Sequence, residues 1–190
     1  MNIKYKIEFH TDWHCGSGLA AGADVDALVV KDEKGMPFVP GKTIKGLVRE
    51  AVEEIRGLLP NKCSDDKFVE AFGFFDDKEK KGKGCMFFSN AELKKDEYEA
   101  IVSNNAARFM YRDIASTAIG NNGIAKDHSL RKMQVVVPCT LEGTIIDVPD
   151  EMIEEITNAL KFIKRLGQNR NRGLGRCTIS VESIEKGGNL

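Results

Sequence analysis

The sequence predicts an α+β fold, an antiparallel sheet with helices on one face in a ferredoxin-like or RRM-like arrangement. Three observations predict it. Strand, helix, strands, helix and final strand follow one another along 190 residues, the order of a sheet whose helices share one side. Ile3, Tyr5, Ile7 and Phe9 alternate with polar residues, the mark of a half-buried strand. Ile44, Leu47, Val48, Ala51, Val52, Ile55, Leu58 and Leu59 recur at helical spacing, a stripe that needs a sheet to cover it.

Each element has its own signal. The first strand runs from Ile3 to Thr11, and Asp12 to Val25 is a glycine-bearing loop. Ala27 to Lys31 is a short apolar strand, and Gly35 turns a hairpin that returns through Phe38-Val39. Pro40 precedes the long helix, which Pro60 and Asn61 close. Cys63 to Phe75 reads as a short helix ending at Gly73, followed by a charged, glycine-spaced, exposed connection over Asp76 to Gly84. Met86 to Ser89 reads as a strand and Asp96 to Met110 as a helix. Arg112 to Ser129 is polar and aperiodic, a long loop of the kind that carries function or disorder. Leu130 to Leu141 and Thr144 to Val148 read as two strands meeting at Glu142-Gly143. Asp150 to Leu166 is the last helix and Cys177 to Val181 the last strand.

Composition bounds the function. Hydrophobic residues make up 42%, enough for one compact domain. A net charge of -1 argues against a globally basic nucleic-acid binder but permits a local basic face. The five cysteines, Cys15, Cys63, Cys85, Cys139 and Cys177, form no CxxC pair. They read as reduced thiols in a cytoplasmic protein, with no zinc site. No apolar run approaches ~18 residues, and the chain opens as a strand, not a signal peptide.

Gly167 to Arg176 packs three glycines, three arginines and no acid into ten residues. Glycines let the backbone approach a ligand, and arginines offer planar forks that match phosphate. This composition suits a loop that grips a phosphate backbone. It equally suits a helix cap followed by a solvated basic turn.

Pro40-Gly41-Lys42-Thr43 is not a P-loop. Five residues separate Gly35 from Gly41 where that loop needs four, and two of the five are prolines without an N–H. Nucleotide hydrolysis is rejected, and no nucleotide cofactor is expected. What remains is a helix start able to meet an anion, with Lys42, Lys45 and Arg49 on one face; taken alone, a solvated basic stripe is the plainer explanation. His10 and His14 invite an acid–base reading, against the plainer one of hydrogen-bonded surface groups. Asp24, Asp26 and Asp32 flank the short strand; they suit a divalent ion or an attacking hydroxyl, but on local evidence ordinary turn chemistry is the better reading.

The order of these pieces resembles the RAMP superfamily, and within it the repeating backbone subunit of type III CRISPR effector complexes. His14-Cys15-Gly16-Ser17-Gly18 resembles the family's first glycine-bearing loop. Asp26-Ala27-Leu28-Val29-Val30-Lys31-Asp32 and the stretch Gly35 to Gly46 are similar to the segments that follow it. Phe72-Gly73 and the strand at Met86 also fit. Arg112-Asp113-Ile114 with Ala125-Lys126-Asp127 and Leu130 resembles the protruding thumb hairpin, placing an insertion at about 112–130 of a single domain. Gly173-Leu174-Gly175-Arg176 resembles the glycine-rich signature loop.

The resemblance implies an RRM-like core that binds guide RNA along its backbone. It also implies copies stacked into a filament beside other effector subunits, and thumbs wedged between bases of a guide–target duplex. Lys42, Thr43, Lys45, Arg49, Lys126, Gln168, Asn169, Arg170, Arg172 and Arg176 are the implied RNA-binding residues. Asp26 falls where slicing members need an aspartate to cut target RNA with divalent metal (Mg or Mn), and Asp24 takes that place if the alignment slips by two. Two other readings stay open. One is a non-catalytic RNA-binding subunit. The other is a metal-independent guide-processing endoribonuclease using His10 or His14.

Overall fold

A computed structural model of the chain describes residues 1–20, 24–58, 64–75 and 81–187. The chain opens with β1 (Asn2–Phe9), then α1 (Gly41–Leu58), α2 (Asp65–Phe72) and the short strands β2 (Gly73–Phe75), β3 (Lys81–Lys83), β4 (Phe87–Phe88) and β5 (Glu92–Leu93). Next come α3 (Lys95–Ser103), a 3-10 turn at Ala107–Met110, β6 (Tyr111–Ser116), β7 (Arg131–Val136) and β8 (Thr140–Ile146). A second 3-10 turn at Asp150–Met152 leads into α4 (Ile153–Phe162), and β9 (Cys177–Glu185) ends the sequence of elements.

The main sheet has the order β4-β8-β1-β9, with β5 also on β8. Both neighbours of β1 are antiparallel to it. With β4 as second strand and β8 as third, this is the ferredoxin-like order, and α1 and α4 are its two crossover helices. Ile3, Tyr5, Ile7 and Phe9 are buried as alternation requires. They face Ile44 and Val48 of α1 and Ile156 and Leu160 of α4 in one core. Each such side chain contributes about 1.5–3 kcal/mol on burial, so the sheet–helix interface is the main source of stability.

Several elements differ from expectation. The strand break expected at Glu142-Gly143 lies instead at residues 137–139, and β8 runs straight through Gly143. Gly143 stands opposite Tyr5, and a Cβ there would come within 2.4 Å of the Tyr5 hydroxyl. The glycine makes room for a ring and marks no turn. The residues expected as a strand at Ala27 to Lys31 make only isolated bridges, Ala27 to Met133 among them. The helix expected over Asp96 to Met110 ends at Ser103.

Arg112 to Ser116, expected as loop, is most of β6, which pairs with β7 from Tyr111↔Val136 to Ser116↔Arg131. Neither face of β6 is buried, so its sequence carries no alternation to read. The last helix stops at Phe162, four residues short of expectation. Lys164–Leu166 instead forms a ribbon with Gly175–Cys177, through Cys177 N–H to Lys164 O at 2.9 Å and Leu166 N–H to Gly175 O at 2.9 Å. The helix end expected near Pro60, the start expected at Cys63 and the centre of the charged connection lie outside the described residues.

Asp32 settles as turn chemistry. Its Oδ1 accepts the Lys34 and Met36 N–H groups at 2.9 and 2.8 Å, and its Oδ2 accepts the Tyr98 hydroxyl at 2.6 Å. Burial raises its pKa, but the hydrogen bonds from Tyr98, Met36, Lys34 and Gly35 outweigh that and hold it below the ordinary range. A depressed folded-state pKa adds stability above the unfolded value of about 3.9 and loses it as pH falls through the folded value. Asp32→Asn should therefore lower the melting temperature near neutrality, and the gap to wild type should close below about pH 4. A gap of constant size from neutrality into acid would refute this role.

Candidate nucleic-acid interface

Three chain segments meet at Asp26. The segment 26–27 lies along β7: the Asp26 N–H reaches Lys132 O at 2.9 Å, Asp26 Oδ2 accepts the Lys132 N–H at 2.8 Å, and the Gln134 N–H reaches Ala27 O at 3.0 Å. The Arg131 guanidinium stands 3.5 Å from Asp26 Oδ1. The glycine-rich loop closes the other side, where the Asn169 amide donates to Met133 Sδ at 3.6 Å. Between them is a cleft of about 430 Å3 lined by Asp26, Arg131, Lys132, Asn169 and Arg172, with Ile114, Met133 and Leu174 as apolar wall. One carboxylate thus sits among three cations over an apolar surface. That arrangement can hold phosphate at its rim and pack bases or riboses against its wall.

The glycine-rich loop is fastened to the loop after β1 like a zipper. His10 N–H donates to Arg176 O at 2.8 Å, Gly175 N–H to Asp12 O at 2.7 Å, and Gln168 N–H to His14 O at 2.9 Å. The Arg176 N–H donates to Thr11 Oγ1 at 3.0 Å. Two glycines permit this closeness. A Cβ on Gly175 (φ +67°) would lie 1.9 Å from Leu166 O, and one on Gly167 (φ +94°) would lie 2.3 Å from His14 O.

Beneath this zipper His14 is fully buried, which corrects its reading as a surface group. Its Nδ1 stands 2.6 Å from Gln134 O. That carbonyl accepts, so Nδ1 donates to it, and Nε2 is buried with no hydrogen-bond partner among the described residues. Gly16 lies between this Nε2 and the Gln168 amide nitrogen, since a Cβ on Gly16 would be 3.1 and 3.2 Å from them. His14 is thus enclosed by β7, which its ring bonds, and by the glycine-rich loop, which its carbonyl bonds. His10 is exposed and its Nε2 is 2.8 Å from Thr178 Oγ1. Asp12 is buried too, and Arg112 of β6 grips its Oδ2 through Nε at 2.6 Å and through a terminal nitrogen.

The other candidates divide among separate surfaces. Lys42 is exposed at the start of α1 and Thr43 half-buried beside it. Both lie against Cys15, whose thiol burial pushes up while the Thr43 hydrogen bond and the Lys42 charge pull it down by less. That places the α1 N-terminus next to the Gly16–Gln168 contact. Lys45 is half-buried one turn on. Arg49 turns toward α2, donating to Glu53 Oε1 at 3.0 Å with its guanidinium 5.4 Å over the Phe68 ring.

Arg170 lines a different groove from Arg172, with Glu50 and Glu54 of α1 and with Lys164 and Arg165. Arg176 lines a third depression. Lys126 is exposed on the β6–β7 hairpin, where its N–H meets Ala118 O at 2.9 Å, and Asp24 is exposed with its carboxylate outside the Asp26 cleft. Sequence reasoning missed Arg131, Lys132 and the Asp12–Arg112 pair. The dipeptide Arg131-Lys132 at the head of a strand was visible, but its pairing with Asp26 was not.

The fold and cleft define a ferredoxin-like domain with a charged seam between a hairpin and a glycine-rich loop. The chain belongs to the RAMP superfamily, whose family model matches residues 6–178. It is similar in structure to a chain of the type III-B Cmr-β complex bound to cognate target RNA, at TM-score 0.70 and 10% identity, covering 95% of this chain and 97% of that one. A chain of the apo Cmr-β complex gives 0.66 at 12% identity, covering 95% and 97%. A chain of a type IV-B CRISPR complex gives 0.66 at 10% identity, covering 100% and 94%. No protein with a curated description matches.

Proposed function

We propose that this chain is a guide-RNA-binding backbone subunit of a CRISPR ribonucleoprotein of type III or of the similarly folded type IV-B, and that it cuts complementary target RNA at Asp26 with a divalent metal. Its partners are guide RNA, target RNA, other effector subunits and further copies of itself in a filament. One observation carries the reading: the loop after β1, the hairpin base and the glycine-rich loop converge on Asp26 with Arg131, Lys132 and Arg172 around it. Family membership and the likeness to a chain of an effector complex bound to target RNA support it.

Asp26 fits a magnesium-type ion as one carboxylate ligand, with RNA phosphates completing the shell, the usual arrangement for that ion. When bound, the ion would supply positive charge at the attacked phosphate. The chain's own residues do the rest. Arg172 and Arg131 fix the phosphate backbone. The apolar wall of Ile114, Met133 and Leu174 packs a displaced nucleotide. Lys132 N–H holds the Asp26 carboxylate in one rotamer. That same bond, with Arg131, favours the second reading, a non-catalytic subunit in which Asp26 is a structural tie.

RNA binding tests the reading first. Arg172→Ala should weaken binding of all sequences alike and reduce the salt slope by about 0.7, one phosphate contact to a single strand. Arg170→Ala should move the slope less, since its groove already holds Glu50 and Glu54. Equal slopes for Arg172→Ala and wild type would remove Arg172 from the interface.

A further inference from the structure

The Asp26 cleft does not end at the glycine-rich loop. Leu174 is shared with a second depression of about 380 Å3, lined also by Gly173, Asp12, Arg112 and His10. His10 is shared in turn with a third of about 500 Å3, lined by Lys164, Arg165, Arg176 and Thr178. The three lie in series beside the loop, the last on the sheet face bearing His10 and Thr178, opposite the face that buries Phe9, Cys177 and Ile179. Each depression falls within the ~300–1,000 Å3 of sites that take small ligands.

We infer that this series of depressions carries a single RNA strand from the Asp26 cleft to the helix-free face of the sheet, with Arg165, Arg176 and Lys164 as an outlying phosphate site. The inference rests on the RNA-binding reading above and adds a route to it. Arg165 and Arg176 are direct antiparallel partners in the ribbon at the loop's base, so their side chains leave on the same face. Like charges placed opposite one another destabilise a strand pair, and Lys164 adds a third. No acid lines that depression; Lys164 and Arg165 also border the groove that holds Glu50 and Glu54, whereas Arg176 does not. The ribbon also removes the ordinary explanation, because these residues lie beyond the end of α4 and do not complement its dipole. A phosphate bridging the pair cancels the repulsion. In the middle depression Arg112 neutralises the buried Asp12 carboxylate, so an anionic strand meets no uncompensated negative charge there.

The test is the salt dependence of binding to a fluorescein-labelled oligouridylate, measured on the full chain assembled with its guide. Arg165→Ala/Arg176→Ala should reduce the slope by about 1.4, two single-strand phosphate contacts. Its melting temperature should hold or rise as the repulsion goes. A benzophenone amino acid at Thr178 in the otherwise unaltered chain should photocrosslink to the RNA, which keeps the test open if the double variant misfolds. A wild-type slope in the double variant with a reduced slope in Arg172→Ala would overturn the route and leave RNA binding standing. Loss of an associated acidic subunit with the RNA slope intact would make the outlying site a protein dock and overturn the route. Failure of the wild-type assembly to bind RNA would take both readings down.

Discussion

Asp26→Asn in the assembled complex should reduce cleavage of a complementary RNA by about 100-fold or more, the usual cost of losing a positioned carboxylate. Guide binding should hold or tighten. Asparagine keeps an oxygen for the Lys132 N–H, so the segment 26–27 stays on β7. It removes the charge facing Arg131 at 3.5 Å, which leaves that guanidinium free for phosphate. Loss of cutting with tighter binding is a pattern that misfolding does not produce. The same loss in wild type on chelating divalent ions would tie the carboxylate to metal. Full cutting by Asp26→Asn, with loss in Asp24→Asn, would move the role two residues along. If neither wild type nor variant cuts while both bind target, the structural-tie reading holds.

Gly175→Ala should be the most damaging single change in the glycine-rich loop. A methyl there would stand 1.9 Å from Leu166 O on a backbone with φ of +67°. The ribbon must open to accept it, breaking the Leu166 and Asp12 bonds that Gly175 anchors. We expect a loss of about 3 kcal/mol, or roughly 6–12 °C in melting temperature for a chain of this size, together with loss of RNA affinity. Gly173→Ala is the control. Its φ is +92° but nothing lies within 4 Å of the added methyl, so only backbone strain of about 1 kcal/mol applies. Equal effects from the two would mean that the loop is not zipped to the strand as described.

The parts of this fold legible in the sequence are those with one buried face. Alternation announced β1, and the apolar stripe announced α1. Gly73 marked the end of α2, where it takes φ of +79°. The β6–β7 hairpin lacked that signal, and Gly143 gave a false one because a glycine under a ring looks like a glycine in a turn. The site was half legible. The loop arginines stood out by residue type, and Asp26 was singled out by the resemblance to the RAMP superfamily. Their grouping was not legible, because the bonds that set it join distant residues: Asp26 to Lys132 spans 106 positions and Asp12 to Arg112 spans 100. Nothing local says that Arg170 and Arg172, two residues apart, point into different grooves. Burial of His14 was equally hidden, since its partner carbonyl is 120 positions away.

Asp12 holds the hairpin through its carboxylate and the glycine-rich loop through its carbonyl. Both walls of the cleft are therefore referenced to a single fixed point, and their separation is set once for the whole molecule. The outer hairpin, residues 117–130, has no such tie among the described residues; its bonds are internal. A change in the outer hairpin would leave the Asp12 bonds intact. The two walls keep a constant gauge, so under the proposed function copies lined up in series would space their contacts along an RNA evenly.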